Sequence, residues 1–145
     1  MNGPLSSRAT VETGRYGRLV VARIKPNEDL VASLEALCAA HAIRRAVVRG
    51  AVGSLIDAQL ARGHGAGEQD FAVAGPGVEI LTVSGEVTCA ESGAPRAAIS
   101  GIVADPAGQM HAGRFCRYGN LSFITIEVSL QEWIIEQTLE RSIAV

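Results

Sequence analysis

Residues Pro95–Asn120 read PRAAISGIVADPAGQMHAGRFCRYGN, and this stretch organises the rest of the chain. Two extended runs, Arg96–Ala104 and Gln109–Cys116, flank Asp-Pro-Ala-Gly, a strong turn signal, so the spacing predicts a β-hairpin. Arg96, Arg114 and Arg117 interrupt an otherwise apolar or small-residue ribbon. A guanidinium on an inner strand needs a partner, because burying it unpaired is costly. Side chains alternate along a strand, so the turn decides whether Arg96, Ala98 and Arg114 share a face. An odd number of unpaired turn residues brings them to one side. An even number sends Arg114 to the other.

Outward from the hairpin, Val78–Thr88 (VEILTVSGEVT) is the clearest strand on the upstream side. Leu121–Val128 (LSFITIEV) predicts a last strand downstream, with Phe123 as a core anchor. Leu130–Leu139 (LQEWIIEQTL) is expected to close the chain as a short helix or an oligomer-docking tail, with Trp133, Ile134 and Ile135 on its apolar side.

At the other end, Gly17–Lys25 (GRLVVARIK) predicts a strand that Pro26 stops. Asn27 is the expected helix cap, with Glu28 and Asp29 suited to the first turn of the dipole. Leu30, Leu34, Leu37, Cys38 and His41 recur at helical spacing, which predicts an amphipathic helix over Asn27–His41 with His41 as a capping or half-buried residue. Arg45–Gly53 and Ser54–Ala61 follow as two short strands, with Gly50 and Gly53 marking a bulge or bend. Arg49 lies inside the first of them, in a structural ion pair or a polar site. Arg62–Gly77 reads as a long glycine-rich loop, mobile or a functional flap, that carries a solvated His64.

One strand, one helix and then mostly hairpin-linked strands exclude a doubly wound parallel sheet. The expected fold is α+β: an antiparallel-rich mixed sheet with one long helix packed on it. Residues 1–14 are expected to be a flexible or strand-swapped arm, 15–130 the domain and 131–145 a short helix or tail.

The chain has 145 residues, 48% of them hydrophobic and only 19% charged, with mean hydropathy +0.22. Such a balance favours hiding apolar surface in an oligomer. Net charge −2 and pI near 5.9 provide no global attraction for nucleic acid or anionic lipid. Cys38, Cys89 and Cys116 are an odd set without a C-x-x-C pair, which points to small core thiols and a cytoplasmic setting. No run reaches the ~18 apolar residues of a membrane helix. No phosphate loop and no G-x-S-x-G elbow is present. Cys116, between Arg114 and Arg117, has either a lowered thiol pKa or, the preferred reading, an inert buried role.

Taken in order, GRLVVARIKPNEDLVASLEALCAAHAI, AVVRGAVGSLIDAQL, GVEILTVSGEVT and the hairpin resemble the plant-and-prokaryote-conserved (PPC) domain over residues 17–130. The resemblance implies a homotrimer and carries DNA binding as the family's proposed role. In plant members the domain follows AT-hooks, whose Arg-Gly-Arg-Pro enters the minor groove; no such tract is present here, so direct DNA binding by this chain alone is doubtful. Many prokaryotic members carry an H-x-H ribbon and a G-G-H-L segment that look like a metal site. Here Arg96-Ala97-Ala98 and Ala112-Gly113-Arg114-Phe115 stand in their place. Guanidinium has no lone pair for a metal, and His41, His64 and His111 lack ligand-like spacing, so neither metal nor other cofactor is expected.

A cationic pocket suits carboxylate or phosphate instead. The expected function is therefore a non-enzymatic, trimeric binding or regulatory module with a pocket for a small anionic ligand or partner. Arg96, Arg114, Arg117, Arg49 and Ser54 form the expected set. One alternative makes the arginines structural, paired with Glu79, Glu86 or Glu127. Another is a small enzyme acting on an anionic metabolite at the subunit interface.

Overall fold

Eight strands and one helix carry the chain: β1 (Ser6–Ile24), α1 (Leu30–Ala40), β2 (Ala46–Leu55), β3 (Ala58–Arg62), β4 (Gln69–Val73), β5 (Val78–Cys89), β6 (Pro95–Ala104), β7 (Met110–Phe115) and β8 (Ser122–Ala144). The computed structural model describes residues 6–144. Its strands form one sheet in the order β1-β8-β2-β5-β6-β7-β3-β4. Every neighbouring pair is antiparallel, where a mixed sheet was expected. The reason is topological. The β1–α1–β2 crossover returns β2 parallel to β1, but β8 inserts between them and pairs antiparallel with both.

The hairpin at 95–120 forms as predicted. Asp105 Oδ1 accepts the backbone N–H groups of Ala107 and Gln109, both at 2.9 Å, and this holds the turn. Ala104 faces Met110 across it, leaving five residues, an odd number, in the turn. Arg96, Ser100 and Arg114 therefore share a face.

Helix α1 covers the other face. Its cap is Asp29, whose Oδ2 accepts the Ala32 N–H at 2.9 Å. Asn27, the expected cap, instead takes φ 69°, a left-handed turn that asparagine tolerates. His41 ends the helix, its N–H donating to the Leu37 carbonyl at 3.1 Å. Leu30, Leu34 and Cys38 face inward against alternate strand residues such as Val83, Val87, Ile99, Val103 and Phe115. Each large buried aliphatic side chain contributes about 1.5–3 kcal/mol of transfer free energy.

Four local expectations are corrected. Leu130–Leu139 is not helical but continues β8, where Trp133 faces Tyr16 and Leu139 faces Val11 on β1. β1 begins at Ser6, so residues 6–14 of the expected arm are strand; residues 1–5 lie outside the described residues. The glycine-rich 62–77 segment contains β4, which pairs with β3 and sets Phe71 opposite Leu60. Phe123 is 38% exposed, not an anchor, because the β2–β8 register jumps between Gly53–Ile126 and Leu55–Ser122 and Ser122 takes the buried position.

Among the described residues no helix is long and apolar enough to cross a membrane.

Candidate functional site

Among the described residues, no element packs over the sheet face away from α1. Residues directly opposite each other in antiparallel strands point to the same side. Ser84 on β5 faces Ser100 on β6, Ser100 faces Arg114 on β7, and Arg114 faces Ala61 on β3. A row of two hydroxyls and one guanidinium thus crosses the open face. A cleft of about 380 Å³ lies over it, lined further by Arg62, Ile102 and Ala112.

Arg114 Nη2 donates to Glu68 Oε1 at 2.5 Å, and both side chains are partly exposed. A pair of that kind is worth little in water, so a competing anion can displace Glu68 at small cost. Arg62 borders the cleft with its guanidinium stacked on the Phe71 ring, 4.2 Å from the centroid.

Of the five residues expected to bind an anion, Arg114 alone lines this cleft. Arg96 shares its face but sits four residues along β6 from Ser100, about 13 Å at strand rise, and is exposed. Arg117 points to the helix side, where its Nη2 donates to Glu35, which also accepts the Ala97 N–H at 2.9 Å. That bridge is structural. Arg49 stands at a bulge in β2 and borders a separate cleft of about 450 Å³ with Val21, Val52, Leu81 and Glu127. Ser54 faces Glu79 near the end of β2, half-buried and apart from Arg114.

The acids named as structural partners are engaged elsewhere or not at all. Glu86 pairs with Arg45 at 3.3 Å and Glu127 with Arg23 at 2.7 Å, and Glu79 forms no ion pair among the described residues. Glu35 and Glu68 take the role instead. Neither stands out in sequence, since one lies mid-helix and the other in the glycine-rich segment just before β4.

The positions around Arg114 also bear on metal binding. The Arg96-Ala97-Ala98 segment does not meet position 114 directly, because Ser100 is the residue opposite Arg114 and Ala98 lies next along the same face. Ala98, Ser100 and Arg114 supply a methyl, a hydroxyl and a guanidinium, which do not fit a divalent cation. Among the described residues, no three His, Cys, Asp or Glu side chains gather in a metal-holding group.

Cys116 does not gain a low pKa from its arginines. Desolvation pushes the thiol up, Asp70 and Glu68 add to this, and Arg114 opposes them only in part. Burial takes Cys38 up to about 11. Neither is a ready nucleophile.

His111 Nε2 lies 2.9 Å from Asp105 Oδ2 at the hairpin turn. That hydrogen bond, and then the Gln109 N–H, hold the Asp105 carboxyl below its ordinary 3.8. A depressed carboxylate stabilises the fold above its unfolded value, and the contribution is lost as pH falls through the folded value. Melting curves between pH 6 and pH 2 are expected to fall less steeply on the acid side for Asp105→Asn than for the wild type. Equal slopes would remove the turn from the acid response.

The fold finds a match among known proteins. The Plants and Prokaryotes Conserved (PCC) domain model matches residues 11–134. The chain belongs to this PPC family. Among solved structures, a PPC protein from Pyrococcus horikoshii superposes with TM-score 0.77 at 18% identity, covering 86% of this chain and 85% of that one. A metal-containing protein from Archaeoglobus fulgidus superposes at 0.74 with 20% identity, covering 87% and 86%. A Bacteroides thetaiotaomicron protein, named for a proposed DNA-binding role, superposes at 0.69 with 14% identity, covering 82% and 83%. At these identities the likeness extends to the PPC fold alone. No curated protein sequence matches the chain.

Proposed function

We propose that this PPC domain is a homotrimeric binding module that seats a small anionic group on Arg114, between Ser84 and Ser100, where relatives with histidines suit a metal. The observation that carries the reading is the uncovered sheet face. Leu19 is 60% exposed, Val21 64% and Val52 74%, all on strands whose opposite faces are packed. An apolar sheet face in water favours association, and neighbouring copies of the chain supply a matching surface. Arg114 then lies on a face shared with the interface, with a partner in Glu68 that yields readily to a ligand.

DNA binding is the lesser reading, because a chain of net charge −2 offers no general attraction for a polyanion. An enzyme acting on an anionic metabolite has little support. Cys116 is held protonated, and among the described residues neither Ser84 nor Ser100 is hydrogen-bonded to a histidine base.

Native mass spectrometry with added malonate tests both halves. The wild type is expected as a trimer carrying malonate. Arg114→Gln is expected to stay trimeric and lose the adduct, and Val52→Asp to appear as a monomer. A monomeric wild type, or equal malonate uptake by Arg114→Gln, refutes the corresponding half.

A further inference from the structure

We propose a second site, remote from Arg114, for a small apolar monocarboxylate in the cleft where the end of α1, the start of β2 and mid-β8 meet. This cleft of about 340 Å³ is lined by Ala42, Arg44, Arg45, Glu132, Trp133 and Ile135, among others. That volume is at the small end of ligand pockets.

Charge within the cleft is almost entirely neutralised. Both oxygens of Glu132 are taken by Arg18, whose Nε and Nη2 each donate at 3.1 Å. Arg45 Nη1 donates to the two oxygens of Glu12 at 3.0 and 3.1 Å, and its Nη2 to Glu86 at 3.3 Å. Arg44 is different. It is exposed, and among the described residues its guanidinium has no ion pair and no hydrogen bond. Among the described residues, Arg44 is therefore the one guanidinium lining the cleft that is left free to pair with a ligand.

The walls are apolar and preset. Trp133 is anchored by its backbone N–H to the Arg45 carbonyl at 2.9 Å and by Nε1 to Glu12 Oε2 at 3.4 Å. Tyr16 meets the indole edge-on, with centroids 6.0 Å apart and planes at 68°. Ile135, 39% exposed, and the Ala42 methyl complete an apolar lining that is already partly open to water.

These features define the ligand class. A carboxylate pairs with the planar Arg44 fork, and a flat or branched apolar tail lies against Trp133 and Ile135. A phosphate dianion is disfavoured, since only one cation is free and the Glu132 carboxylate lines the same cleft. No lining residue of this site is shared with the Arg114 cleft.

The chain contains a single tryptophan, Trp133, which makes its emission a reporter of the site. Phenylacetate, phenylacetamide and phenyl phosphate are titrated against the full-length protein by fluorescence and, in parallel, by equilibrium dialysis. Phenylacetate is expected to bind saturably, about tenfold more weakly to Arg44→Gln, a loss of about 1.4 kcal/mol. The amide and the phosphate are expected to bind more weakly than phenylacetate, and Arg114→Gln to bind it like the wild type. Absence of saturable binding in both assays overturns the proposal, as does unchanged affinity in Arg44→Gln or tighter binding of phenyl phosphate. Loss of binding in Arg114→Gln places the probe in the other cleft and overturns it too.

Discussion

Replacing Asn120 with alanine is expected to lower the unfolding free energy by roughly 3–5 kcal/mol, a large share of the 5–15 kcal/mol typical of a domain. Asn120 is fully buried, at 0% exposure. Its Oδ1 accepts the Gln59 N–H at 3.0 Å, while Nδ2 donates to the Gln59 carbonyl at 3.0 Å and the Cys116 carbonyl at 2.8 Å. Its backbone N–H donates to Asp29 Oδ1 at 3.0 Å, and its carbonyl accepts the Leu30 N–H at 2.9 Å. One residue thus joins the helix cap, β3 and the β7–β8 connection. Alanine orphans the Gln59 N–H outright. The two carbonyls keep a weaker claim on other donors, since Gln59 O also accepts the Cys116 N–H and Cys116 O the Gly119 N–H. Asn120→Asp is expected to be no milder, because it removes both donors and sets a second carboxylate beside Asp29. Urea denaturation at pH 7 measures both variants. A loss below about 1 kcal/mol for Asn120→Ala would show that water replaces the side chain without penalty.

Gly53→Ala is expected to cost about 3 kcal/mol or more, while Gly50→Ala stays within about 0.5 kcal/mol. The two glycines look equivalent in RAVVRGAVG. Gly53, however, holds φ 151°, and a methyl there would meet the Thr125 carbonyl oxygen at 2.2 Å and the Ile126 Cα at 2.8 Å. Both obstacles are backbone of the adjacent β8, so relief requires moving the strand. A methyl on Gly50 meets nothing within 4 Å. In place of one bulge or bend between two strands, β2 runs on through both glycines to Leu55, with register shifts between Val48 and Gly50 and between Gly53 and Leu55. Chemical denaturation of the two variants side by side decides the matter. Equal losses would mean that β8 yields at the bulge.

The outline of the fold was legible where its cause is local. Alternation marks β5 and the β6–β7 hairpin, Asp105 and Gly108 mark its turn, and helical spacing marks the inward face of α1. Even the shared face of Arg96 and Arg114 was reduced to a question of turn parity. The tail of β8 was not legible, because Trp133, Ile134 and Ile135 suit a helix or a strand alike. Its partner is β1, more than a hundred residues away in sequence. The five-residue β4 was hidden by the glycines around it.

The site divides in the same way. Arg114 stood out because a charge on a predicted inner strand demands explanation. Ser84, Ser100 and Glu68 did not, since each is an ordinary polar residue until strand pairing sets it beside Arg114. Arg117 looked like its equal and turned out to be a helix-side bridge to Glu35, because β7 ends at Phe115 and the chain turns before it. Local periodicity and turn signals, which act over a few residues, are enough to mark the helix and most of the strands, and the quoted stretches in their order carry the PPC resemblance. Which charges are neutralised and which stay free, as Arg44 does beside the paired Arg45, depends on side chains brought together across the sheet. Only the tertiary structure decides that, because the Coulomb and desolvation terms follow distance in space.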